Sequence, residues 1–260
     1  AEEAGYRHLP EFGRRFVDLN RDDVMAIPRF ADLPEIYLPA SALEADLIVS
    51  LAKMKTHHWA GATLSMKNLF GLPPLTLPSG RTRTYFHHFI RLSYVLPDLG
   101  LITRPCLNII DALTGQKGRE WGGEGRVCDA LIAGDQITAT DACGATLMGH
   151  DPASDWPTPP FRRDRNHLLM AARRGFGTVD LGQIDYESEV RAPLAEFDSD
   201  KTDASETVGS WRRTTCEQGL YYRDHMKEIV DRHRGEFIFL HDGEVGVAPH
   251  QYADFRPHVT

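Results

Sequence analysis

ADLIVSLAKMKTHHWAGATLSMKNLFGLPP, residues 45–74, decides how this chain is read. Its opening run, Leu47, Ile48, Val49, Ser50 and Leu51, is short, continuous and rich in branched side chains. That is the pattern of a strand buried on both faces of a mainly parallel sheet. In open α/β sheets ligands bind beyond the carboxyl ends of such strands, so Lys53, Lys55, Thr56, His57 and His58 are expected to emerge into a crevice. Over residues 59–69, Ala60, Gly61, Ala62 and Ser65 mix with Leu64, Met66 and Leu69, which suits a tightly packed helix or a turn and helix. Gly71 and the Pro73-Pro74 pair stop it. Lys67 and Asn68 then stand near the helix end, able to fold back toward the strand mouth.

Two ammonium groups, an imidazole, a hydroxyl and a side-chain amide would converge there. Crowded lysines depress one another's pKa and favour a bound carboxylate or phosphate, or a lysine that acts as base or electrophile. A neighbouring histidine titrates near neutrality and can move a proton or hold a metal. The structural alternative stays open: Lys53 and Lys55 as a solvated strand end, His57 as a turn residue.

The segment resembles the core motif of the domain of unknown function 362 family, in which an apolar strand leads to lysine-threonine-histidine and then to lysine-asparagine shortly before a glycine. Here these are Lys55, Thr56, His57, Lys67, Asn68 and Gly71. A second part of that pattern is similar too: LNIIDAL at 107–113, then AGDQITATDACGATLMGHDP at 133–152. The resemblance covers about residues 1–180. It implies further strand-helix units before Ala1. Many members also carry a ferredoxin-like iron–sulfur segment, from which this chain departs: Cys106, Cys128, Cys143 and Cys216 show no CxxC spacing, so an iron–sulfur cluster is not expected. Thiols in a reducing, cytoplasmic compartment are the default reading, with an export signal before Ala1 left open.

At 260 residues the chain can hold one large domain with an appendage. A formal charge of −8 argues against nucleic acid or an anionic membrane as the main partner. No apolar run approaches the roughly 20 residues that span a bilayer.

Around the central stretch, residues 15–19 and 35–38 read as short strands, and Ser41 as the cap of a brief helix at 42–45. PPLTLPSGRTRT (73–84) reads either as a mobile lid over the site, with Arg81 and Arg83 as substrate ligands, or as a plain surface loop. A helix over 85–99 carries His87 and His88, of which His88 is taken as a substrate contact. The strand at 106–110 ends on Asp111, the glycine-rich 115–125 reads as a flexible loop, and 129–133 as another buried strand. The helix at 136–148 contains Asp141 among small residues; if buried, it needs a cationic partner, for which Lys55 or Lys67 is the candidate. A helix over 166–174 closes the main domain.

The expected architecture is therefore an α/β fold with a mainly parallel sheet flanked by helices over 1–186, an acidic linker at 187–209, and a helix plus β-hairpin at 210–260. Asp242-Gly243 is the hairpin turn, and this appendage is read as a docking or dimerisation piece. The expected function is an enzyme acting on a small anionic substrate. Lys55, His57, Lys67 and Asp141 would be catalytic, and Thr56, Asn68, Arg81, Arg83 and His88 would bind substrate. A divalent metal on His57, Asp111 and Asp141 is a candidate that no spacing specifies. The alternatives are a non-catalytic cofactor- or partner-binding module and, more weakly, a redox protein working with an iron–sulfur partner.

Overall fold

The computed structural model describes residues 5–30, 33–75 and 86–248, and the chain divides into two compact units, Ala1–Thr202 and Asp203–Thr260. In the first unit, β1 (Val24–Phe30) and β2 (Leu33–Pro39) form an antiparallel pair, followed by the single turn α1 (Ala40–Leu43). β3 (Val49–His57), β4 (Gly61–Thr63), β5 (Leu107–Lys117) and β6 (Glu124–Gly134) form one sheet in the order β4-β3-β5-β6. Between its strands and beyond them lie α2 (Ser65–Asn68), α3 (Leu92–Thr103), α4 (Ile137–Leu147) and α5 (His167–Arg173).

The expected mainly parallel sheet is instead mixed: only β3 and β5 run parallel, while β4 pairs with β3 and β6 with β5 antiparallel. The cause lies in the connections. A crossover through α2 and α3 joins β3 to β5, but tight turns join the other two pairs, and a tight turn can only return a strand antiparallel. The glycine-rich 115–125 segment is accordingly not a loop. It supplies the ends of two eleven-residue strands and the turn between them, with Gly118 (φ +90°) and Gly122 (φ +62°) in the left-handed region. Residues 15–19 form no strand, and the helix expected over 59–69 is a turn, β4 and one helical turn.

Helices cover one face of this sheet. Met54, Ile110, Ala112, Ala130 and Ile132 point into a core with Leu92, Val95, Leu96 and Leu99 of α3 and Ile137, Ala145 and Leu147 of α4. The small residues of α4 let it approach closely: a Cβ on Gly144 would stand 3.1 Å from Ile110 and 3.3 Å from Leu64. The opposite face is open, against the expectation of a strand buried on both sides. On β3, Ser50, Ala52, Met54 and Thr56 are buried, whereas Val49 (53 % exposed) and Leu51 (67 %) face outward.

The second unit holds α6 (Ser205–His233) and the hairpin β7 (Phe237–His241) and β8 (Glu244–Ala248), turning at Asp242-Gly243, both with positive φ. Within the stretch expected as a linker, Phe197 is buried in the first unit's core.

The β5–β6 turn tolerates no side chain at Gly123, where a Cβ would stand 2.2 Å from the Lys117 carbonyl oxygen and 2.7 Å from that of Arg119. Gly123→Ala is expected to lower stability by about 1–3 kcal/mol in urea unfolding, because backbone must move; an unchanged midpoint would refute this packing.

Candidate functional site

β3 delivers Thr56 and His57 into the turn before β4. The Thr56 hydroxyl donates to the Phe197 carbonyl at 2.7 Å, fastening the strand end to the chain that crosses it. His57 is buried, and its Nδ1 accepts the backbone N–H groups of Trp59 (3.1 Å) and Ala60 (3.2 Å). This acceptor role places the ring proton on Nε2, which lies 4.0 Å from Glu120 Oε1. Glu120, in the β5–β6 turn, also accepts the His58 backbone N–H at 3.1 Å and lies 3.7 Å from His58 Nδ1. His58 Nε2 meets Asp200 Oδ1 at 2.7 Å, and Arg119 holds the other Asp200 oxygen at 2.8 Å.

Lys67 is positioned from below. Asp141 of α4 is fully buried, and its two oxygens accept the amides of Ser65 (2.8 Å) and Met66 (2.7 Å), the first amides of α2. The partners expected for it, Lys55 or Lys67, are thus replaced by backbone. Burial raises the Asp141 carboxyl to about 7, against the pull of the amides. Lys67 Nζ sits 4.8 Å from the Phe70 ring centroid, Phe70 meets the His87 ring edge-on at 4.7 Å, and His87 stacks on His57 at 6.4 Å.

His167, the first residue of α5, completes the group. It is 2 % exposed, its ring packs edge-on against Phe161 at 6.4 Å, and its Nδ1 has no hydrogen-bond partner among the described residues. Burial pushes it down to about 3, and the Lys67 charge adds to the shift. His57 is likewise pushed well below its ordinary value, by burial first and then by Lys67, His87, His167 and His58. The Lys67 charge thus helps to keep both His57 and His167 neutral.

The remaining candidates fall elsewhere. Asn68 donates to Ser50 Oγ (3.3 Å) and the Leu51 carbonyl (3.2 Å), serving the edge of β3 that β4 is too short to cover. Lys55 is half-buried in the sheet, opposite Thr63 and Gln116. Asp111 pairs with Lys53 at 2.9 Å, and the hydrogen bond from Lys53 holds its carboxyl below the usual range. His57, Asp111 and Asp141 thus have separate partners, and among the described residues no group of three or more His, Cys, Asp or Glu is placed to hold a metal. Arg81, Arg83 and the side chain of His88 lie outside the described residues. Sequence reasoning missed Glu120 and His167 in this role. The signal for His167 was slight: Asn166 caps α5 by accepting from the Leu168 and Leu169 amides, which fixes where the helix starts and so where His167 points.

The chain belongs to the family described as Domain of unknown function (DUF362), whose model matches residues 1–146. It is also similar to the thylakoid-associated protein sll1697 of Synechocystis sp., 27% identical over 123 residues, which are 45% of this chain and 37% of that protein. The match thus spans little more than a third of the curated relative. No solved structure matches. No helix among the described residues is long and apolar enough to cross a membrane.

The buried groups make opposite contributions to stability against pH. For Asp141 the folded value is raised from 3.8 to about 7, so its contribution is full below the unfolded value and is lost as pH rises through about 7. For His57 and His167 the folded value is lowered from 6.5, so their contribution is present above that value and is lost as pH falls. Asp141→Asn removes one side of this opposition. Its urea midpoint is expected to climb from about pH 5 to about pH 7 more steeply than that of the parent chain; identical profiles would contradict the assignment of Asp141.

Proposed function

We propose that the chain is an enzyme acting on a small substrate that carries a carboxylate or phosphate, with Lys67 as the anion's anchor and His167 as the imidazole that gives or takes a proton. The observation that carries this reading is the ring of His167, buried within range of the Lys67 charge, with its Nδ1 left without a hydrogen-bond partner among the described residues. A buried polar atom in that state costs about 1–3 kcal/mol unless something satisfies it, and a bound ligand is one way to satisfy it. His57 serves this site indirectly: both its nitrogens face groups of the chain, so it shapes the turn and closes one side with His87.

A metal-assisted version on His57, Asp111 and Asp141 draws no support from their separate partners. A cytoplasmic site of action is part of the proposal and is supported by four free thiols, Cys106, Cys128, Cys143 and Cys216. The thylakoid association belongs to the name of the relative and does not fix a location for this chain. A second reading, a non-catalytic binding module, draws on the open apolar sheet face.

Calorimetric titration of the purified chain with acetate and with inorganic phosphate tests the site. At least one of the two is expected to bind, and Lys67→Met and His167→Phe are each expected to weaken it about tenfold or more, the size of one lost charge-assisted hydrogen bond. With folding verified by circular dichroism, affinities unchanged in both variants would sink the assignment.

A further inference from the structure

The uncovered face of the four-stranded sheet leads to a conclusion independent of the anion site. Val49 lies beside Leu107 in the parallel register, Leu51 beside Ile109, and Asp111 beside Leu131 in the antiparallel one. Leu51 and Leu131 are 67 % and 64 % exposed, and neighbouring Val49 is 53 % exposed. Val49, Leu51, Leu107 and Ile109, with Leu131 across the Lys53–Asp111 pair, make a largely apolar strip over three strands, on the order of 500 Å² by their exposure, as large as the largest patches that monomers leave in water. Strands with apolar residues on both faces require a second layer.

We propose that this layer is a second copy of the same chain, the two open sheet faces packing against each other about a two-fold axis. Three features select this occupant. The strip with its polar rim approaches the roughly 800 Å² per partner of a standard interface. At its centre stands one ion pair, Lys53–Asp111 at 2.9 Å, half-exposed on both sides. A two-fold interface is self-complementary, so it can set Lys53 of each copy against Asp111 of the other and leave no charge alone. An anionic membrane or nucleic acid would meet Asp111 and a chain of net charge −8 instead. Edge-to-edge pairing along β6 is disfavoured, because a bulge breaks its register with β5 near Ala112 and Asp129 takes φ +49° there. Face-to-face packing is what remains, at the usual separation of about 10 Å between sheets.

Sedimentation equilibrium of the full chain at micromolar concentration reads the result directly. A dimer is expected, with Leu51→Glu and Leu131→Glu each raising its dissociation constant at least tenfold; both side chains are exposed in a single copy, so its fold should persist. Lys53→Glu should weaken the dimer, and the double exchange Lys53→Glu with Asp111→Lys should restore it. A parent chain that sediments as a monomer overturns the proposal, as does a dimer indifferent to Leu51→Glu and Leu131→Glu. A monomer whose Leu51→Cys variant resists maleimide would mean that another occupant covers the face, and it overturns the proposal equally.

Discussion

A buried carboxylate holding two backbone amides is the contact on which the rest of the first unit depends. α2 is only four residues long, far below the length at which a helix sustains itself in water. It exists because Asp141 reaches from α4 to the amides of Ser65 and Met66. Hydrogen bonds from amides to an ionised carboxylate are stronger than neutral ones, which offsets part of the expense of burying the charge. The remainder shows in the raised carboxyl pKa. Through this one side chain the helix that packs on the sheet fixes the helical turn that presents Lys67, so the position of the ammonium is set by tertiary structure and not by local propensity.

The two turns of the sheet do the corresponding work for the histidines. The turn after β3 is closed by His57, which takes the Trp59 and Ala60 amides, and the turn after β5 carries Glu120 back across the sheet to the same place. The two connections therefore lock each other. This explains why a glycine without room for a Cβ, Gly123, sits in a turn more than sixty residues from the motif it supports.

Much of this was legible in the sequence, and what was not has physical causes. The apolar run of β3, the lysine-threonine-histidine at its end and the Lys67-Asn68 pair were visible because each is local. So were α4 and the Asp242-Gly243 hairpin, which have periodicity and turn chemistry of their own. The sheet's mixed order was hidden because Gly115, Gly118, Gly122, Gly123 and Gly125 resemble a loop, and composition does not tell a glycine in a strand from one in a turn. The open face was hidden because the run at 47–51 is apolar at successive positions, which suits a strand buried on both faces and says nothing about whether the second layer is supplied. His167 was hidden for a third reason: more than ninety residues separate it from Lys67, and only the packing of α5 on α3 and α4 brings it back.

The division of labour among the histidines follows from which nitrogen is engaged. His57, the histidine of the family motif, has Nδ1 occupied by two amides and Nε2 turned toward a carboxylate, so a substrate could reach neither without opening the turn. His167 has the opposite character: it is buried, and its Nδ1 has no hydrogen-bond partner among the described residues. Both are held neutral by burial and by the same ammonium, which makes proton uptake and anion binding reciprocal in the proposed site. An anion that offsets the Lys67 charge removes one of the causes that depress the His167 pKa, and a protonated His167 in turn binds the anion more tightly. In the proposed site, the arrival of a negative group would thus favour protonation of the neighbouring imidazole, the direction that general acid catalysis on a small anion requires.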